Sequence, residues 1–284
     1  MSSAIYPSER DEPREGSIGR VRVRGGVSVS VDVRNGRSRV CDLRERDGYK
    51  VRFPRRSDPP EGIIINTGGG LASGDDIQQS FDVADGAALT VTTQASERSY
   101  RSADGRKTAL NMTARVGRDA SLSWLPQETI LFEGSRLSRS IDIAMASSSR
   151  LLIAETVVFG RIAMGETLES GLFEDKWRIR REGRLVFAEN VKLNDETFQV
   201  MTTAAMNGGA HVATTLICIA SDVEDLLQGA RSAISDAPFQ CAASAWNGML
   251  VVRGLAHRSE DVRHLMARLV PALSIGQLPR VWWT

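Results

Sequence analysis

The segment VRVRGGVSVSVDV, residues 21–33, carries valine at every second position except where Gly25 interrupts, and this period of two limits the fold more than any other feature. Successive side chains of an extended backbone point to opposite sides, so such a row reads as a strand with one apolar face. The same period returns in ALTVTT (88–93), ALNMTARV (109–116), ASLSWL (120–125) and RSIDIAM (139–145). Turn signals fall between these runs: ADG, ADG, GRDA, EGS and SSS. Many short strands at steady spacing predict a mainly β body. No amphipathic helical pattern stands before about residue 222, which argues against βαβ units.

After residue 200 the texture changes. HVATTLICIA (211–220) reads as a strand, and SDVEDLLQGARSAI follows with Ser221 or Asp222 as candidate helix cap and Val223, Leu226, Leu227 and Ala230 at helical spacing. Asn247-Gly248 marks a hairpin, and SEDVRHLMARLVPAL is a second helix near the C-terminus. The expected organisation is a mobile tail over 1–17 and one domain over 18–284. Its β-rich body spans about 18–200 and a small α+β section about 201–284, with no low-complexity linker between them.

At 284 residues and 42% hydrophobic content, the chain can bury a real core. A net charge of +1 speaks against a whole-protein nucleic-acid binder, and no apolar run is long enough to predict a membrane span. The polar start MSSAIYPSERDEPREGS lacks the apolar stretch of a secretory signal, and Cys41, Cys218 and Cys241 are odd in number and widely spaced. Both features fit a cytoplasmic protein with reduced thiols.

The stretch IIINTGGGLASGDD, residues 63–76, holds four glycines in seven positions followed by two aspartates. A dinucleotide fingerprint would need a third glycine where Ser73 stands, and a Walker loop would need Gly-Lys-Ser/Thr where Gly74-Asp75-Asp76 stands. The following DIQQSFDV has no helical stripe to aim a dipole at an anion. Gly68, Gly69, Gly70 and Gly74 therefore read as a tight turn with positive φ or close backbone approach. Asp75 and Asp76 beside it are solvated, cap the turn or touch a cation.

No G-x-S-x-G occurs, and no cysteine has a neighbouring histidine in sequence. His211, His257 and His264 lack H-E-x-x-H spacing and any cysteine cluster, which speaks against a tight transition-metal site. Between Arg20 and Arg56 arginine is abundant. That enrichment reads first as the solvated outer face of alternating strands and second as a partner surface. Nucleic acid fits less well, since only Tyr49 and Phe53 offer rings there.

Five blocks occur in fixed order: NTGGGLASGDD, GAALTVTTQASERSYRS, WLPQETILFEGSRL, LLIAETVVFGRIAMGE and, at the end, LPRVWWT. Together they resemble the urease accessory protein UreD family, called UreH in some bacteria. The resemblance is densest over about 61–170 and resumes at the C-terminus. The first block departs from the family, with Thr-Gly-Gly-Gly and Ala-Ser-Gly-Asp where Ala-Gly-Gly and Val-Gly-Gly-Asp are common. Residues 1–60 carry little of its signal.

The resemblance implies a scaffold without enzymatic activity, which binds apo-urease, recruits UreF and through it the GTPase UreG, and helps nickel reach the urease active site. It implies a β body with helical character to its strand stacking plus two helices. No permanent cofactor is implied, and Ni2+ is transient cargo. Carboxylates exchange such an ion more readily than imidazole or thiolate, which makes Asp75, Asp76, Glu128, Glu155 and Glu166 candidates for a water-filled passage. Glu155 interrupts the apolar run LLIAETVVFG, and its alternative is an ion pair with Arg161 or Arg101. Gln94, Arg98, Tyr100 and Arg101 are candidate partner contacts or a polar turn. Trp282 and Trp283 are offered to a partner or tucked against the body, at least one of them buried. Two readings outside this class remain: a hydrolase using carboxylates such as Asp75 and Glu155, and a structural β protein whose glycines and acids only shape turns.

Overall fold

The computed structural model describes residues 22–54, 57–201, 208–273 and 277–283. The tail read over 1–17 lies outside them. The period of two becomes two large sheets that the chain visits alternately. One coil runs through β4 (Glu61–Asn66) and, after the glycine-rich turn, β5 (Asp76–Val83). The next runs through β6 (Ala88–Thr93), the short β7 (Glu97–Ser99) and β8 (Thr108–Val116). A third runs through β9 (Ser121–Trp124), β10 (Thr129–Leu131) and β11 (Arg136–Met145), and a fourth through β12 (Arg150–Phe159) and β13 (Leu172–Arg181).

Like strands of successive coils pair in parallel: β5 with β8, β8 with β11 and β11 with β13 in one sheet, β4 with β6, β6 with β9 and β9 with β12 in the other. A narrow third ladder joins Leu71, β7, β10 and the end of β12. The body is thus a β-helix, and each coil is stabilised by its neighbours' backbone hydrogen bonds rather than by a hairpin of its own.

Antiparallel strands close both ends. β1 (Arg24–Arg34) pairs in parallel with β5 and antiparallel with β2 (Arg37–Arg46), while β3 (Tyr49–Arg52) pairs with β4. At the other end β14 (Arg184–Asn194) pairs with β13, and β15 (Val212–Ile219), β17 (Met249–Ala256) and β16 (Gln240–Trp246) extend the second sheet from β12. Gly26 opens the first sheet with φ +137°, and a Cβ there would lie 1.8 Å from the Gln78 carbonyl oxygen. At Gly25, where the valine row is interrupted, a Cβ would lie 2.6 Å from the Asp47 carbonyl oxygen.

β12 shows how one strand serves two cores. Leu151, Ile153 and Val157 face the interior between the sheets, and Leu152, Ala154 and Val158 face a second layer of helices. Burial on both sides explains the near-continuous apolar run. The helical layer consists of α2 (Val223–Ile234) and α3 (Ser259–Ala272), packed through Val223, Ala230, Val262, Met266, Leu269 and Val270. Asp222 stands at the α2 cap position but makes no capping bond. Its carboxylate pairs with Arg150 at 3.3 Å instead.

One helix departs from the sequence reading: α1 (Asp195–Met201), of seven residues, precedes residue 222. It is too short to show an apolar stripe; Phe198 is buried in the core, 6.5 Å from the Phe159 ring, and Met201 packs against the same core.

Candidate functional site

Alternation dictates that Glu155 points the same way as Ile153 and Val157, into the β-helix. There it is 5% exposed and meets Arg139, which occupies an inward position in β11 between Leu137 and Ile141. In parallel register Arg139 stacks directly on Asp175 of β13. Its guanidinium donates to both oxygens of Asp175, at 2.9 and 2.6 Å, and to Glu155 through Nη1. Trp124 Nε1 donates to the other Glu155 oxygen at 2.6 Å. The Phe173 ring lies 5.7 Å from the guanidinium carbon. The partner of Glu155 is therefore Arg139, neither Arg161 nor Arg101.

Burial works against the charge on Arg139, but Asp175 and Glu155 together hold the guanidinium above its ordinary value. Burial also pushes the Glu155 carboxyl up, with Arg139 opposing it. Two carboxyl groups share one buried cation here, at a desolvation cost to all three.

A second polar group sits nearby. Tyr49 donates to Glu97 at 3.3 Å, and Asn66 Nδ2 lies 2.9 Å from the second Glu97 oxygen and 3.1 Å from the Gly70 carbonyl oxygen. Loss of solvation pushes the Glu97 carboxyl up to about 7, against the hydrogen bonds from Asn66 and Tyr49. Between the two groups lies a cavity of about 30 Å³, lined by Gln79, Glu97, Thr129, Arg139 and Glu155 along with Trp124 and aliphatic side chains. That volume admits about one water molecule or ion.

The glycine cluster borders this region. Gly69, Gly70 and Gly74 have φ of +75°, +158° and +81°, whereas Gly68 does not take positive φ. A Cβ on Gly70 would lie 2.6 Å from the Tyr100 ring and 2.7 Å from the Arg98 carbonyl oxygen. The turn thus lays its backbone against β7, and Tyr100 Oη donates to the Gly69 carbonyl at 2.8 Å.

The other candidate carboxylates are dispersed and engaged. Asp75 caps the turn, accepting from the Val23 and Ala72 amides at 2.9 and 2.8 Å. Asp76 is exposed and accepts from Gln78 at 2.7 Å. Glu128 lies toward α3, 3.4 Å from Arg263. Glu166 is held below the usual carboxylate range by hydrogen bonds from Arg161, which also lies over the Phe132 ring. Of the five only Glu155 lines the cavity. Among the described residues no group of three His, Cys, Asp or Glu side chains could hold a metal ion.

Gln94, Arg98 and Arg101 are exposed around β7, and Tyr100 is half-buried with its ring edge-on to Phe132 at 5.2 Å. Trp282 is 5% exposed and donates to the Leu125 carbonyl at 3.1 Å, so it is withdrawn from any partner. Trp283 is 64% exposed.

Sequence reading missed Arg139, Asp175 and Glu97. Parity carried the signal for the first two. Arg139 falls in the row Leu137, Ile141, Ile143, and Asp175 in the row Phe173, Trp177, Ile179. Glu97 left no such trace, since its partners Tyr49 and Asn66 come from the preceding coil and its end strand.

The chain is thus a β-helix with a buried polar group inside and exposed polar side chains around β7. The chain belongs to the UreD urease accessory protein family, whose model matches residues 23–283. It is 42% identical over 274 residues to urease accessory protein UreD 2 of Methylorubrum populi, covering 95% of this chain and 90% of that one. It is 43% identical over 265 residues to urease accessory protein UreD of Bradyrhizobium diazoefficiens, covering 92% and 94%. These relatives are named as accessory proteins, and the family ties the chain to urease maturation.

Proposed function

We propose that this chain is a cytoplasmic scaffold that binds apo-urease, recruits UreF and through it UreG, and passes Ni2+ as cargo along the polar seam of its interior. The observation that carries the passage reading is Glu155. A carboxylate in the middle of an otherwise apolar strand, facing a cavity and sharing its only guanidinium with Asp175, is costly for stability alone. Arg139 can stand in for an incoming cation, and the oxygen donors around it suit an ion that must leave again. Glu97 joins Glu155 as a lining carboxylate. Asp75, Asp76, Glu128 and Glu166 serve the reading only outside the cavity, where their present partners would have to yield.

Contacts with partners fall to the rim around β7, with Gln94, Arg98, Tyr100 and Arg101, and to Trp283. Among the described residues no helix is long and apolar enough to cross a membrane.

Glu155→Gln keeps the shape and the Trp124 bond and removes the charge. With the accessory complex still assembling, nickel content of urease should fall several-fold. Full nickel content with this variant in an assembled complex would overturn the passage reading while leaving the scaffold reading in place.

A further inference from the structure

The arginine-rich stretch is not uniformly solvated charge. Several cations on the outer face of the first sheet have a carboxylate: Arg115 with Asp82 at 2.8 Å, Arg118 with Asp85 at 2.6 Å, Arg180 with Asp142 at 2.8 Å, Lys107 with Glu174 at 2.9 Å. The tip of the β1–β2 hairpin breaks this pattern. Asn35 and Gly36, both at positive φ, form a two-residue turn that sets Arg34 directly opposite Arg37. Like charges in that position repel. Asp32 serves Arg34 at 3.1 Å, and Arg39, opposite Asp32 in register, donates to the Ser38 carbonyl at 3.1 Å. Arg37 has no ion pair among the described residues. The tip thus holds three guanidiniums around one carboxylate, and they line an open hollow of about 690 Å³ together with Asn35 and Val40.

β2 also ends its sheet, so its outer edge is unpaired among the described residues. Such an edge accepts an extended segment through backbone hydrogen bonds, with side chains at alternate positions setting the preference. The outward row is Arg37 and Arg39 and, past the bulge opposite Ser30 and Val31, Asp42, Arg44 and Arg46, with Asp42 paired to Arg44 at 3.1 Å. Rings that could stack bases are turned away: Tyr49 is 1% exposed, and Phe53 packs against the interior core.

We infer that the β1–β2 hairpin tip is a docking site for an acidic, extended segment of a partner protein, which adds to the free edge of β2 and sets its carboxylates against Arg34, Arg37 and Arg39. Guanidiniums meet carboxylates in paired, planar hydrogen bonds, and such contacts fix register as well as strength. The site is separate from the interior seam, and it stands whether or not nickel passes through the body.

The test uses the full chain and a fluorescein-labelled oligoglutamate peptide, with oligothymidylate of equal length as the competing polyanion. Anisotropy should show saturable oligoglutamate binding that weakens as salt rises. The triple variant Arg34→Gln, Arg37→Gln, Arg39→Gln, all at exposed positions, should lose at least about tenfold in affinity. Arg115→Gln with Arg118→Gln, which removes equally exposed but paired arginines, should leave it within about twofold. Amide exchange along β2 should slow when the peptide is bound. No oligoglutamate binding, equal affinity in the triple variant, or tighter binding of oligothymidylate would each overturn the site. Binding without protection of the β2 amides would overturn the edge pairing.

Discussion

Arg139 is a full charge in a row whose other members are Leu137, Ile141, Ile143 and Met145. Arg139→Met would strand Glu155 and Asp175 together in the interior, and stability should fall by about 3–5 kcal/mol, read as a lower urea midpoint. Glu155→Gln should cost less, because Arg139 keeps both bonds to Asp175. Glu97 gives a prediction in pH. Its folded carboxyl is raised from 4.5 to about 7, so between those values the folded state holds a proton that the unfolded state has released. Stability from this group therefore declines as pH rises from 4.5 toward 7 and is level above it. Glu97→Gln should remove that decline, seen as a flatter profile of midpoint against pH. An unchanged profile would mean that Glu97 titrates normally. Individual residues were unevenly legible. Glu155 stood out because it interrupted an apolar run, and Arg139 and Asp175 could have been found by extending the alternation along their strands. Glu97 pairs across coils, which no local pattern records.

At the scale of elements, strands were read well because their period survives in sequence wherever one face is buried. β12 is buried on both faces and loses the alternation, and α1 is too short to show one. α2 begins where its helical spacing begins, yet Asp222 turns to Arg150 and leaves the cap unmade. The glycine turn is the element with the sharpest requirement. Gly70→Ala would drive a Cβ into the Tyr100 ring and the Arg98 carbonyl. Stability should drop by roughly 1–3 kcal/mol, measured as a lower thermal midpoint. A silent substitution would mean that the turn can move off β7.

Across the whole molecule, coils stacked in parallel give a body whose ends must be closed, and antiparallel strands do this at both ends. The chain's last residues close a side. Trp282 inserts beneath Leu125 and Thr92, while Gln127 binds the Val281 carbonyl at 2.9 Å. Trp282→Ala should cost about 3–5 kcal/mol, whereas Trp283→Ala should stay within about 0.5 kcal/mol and any effect should appear in partner binding. The helical stacking of strands was implied by family resemblance, since a period of two does not distinguish a β-helix from a sandwich. The role proposed for this chain is nickel insertion into urease. Its most direct test is the nickel content and activity of urease in cells holding every other accessory protein, with and without this chain. Both should fall on removal and return on restoration. Nickel-loaded, active urease in its absence would contradict the account.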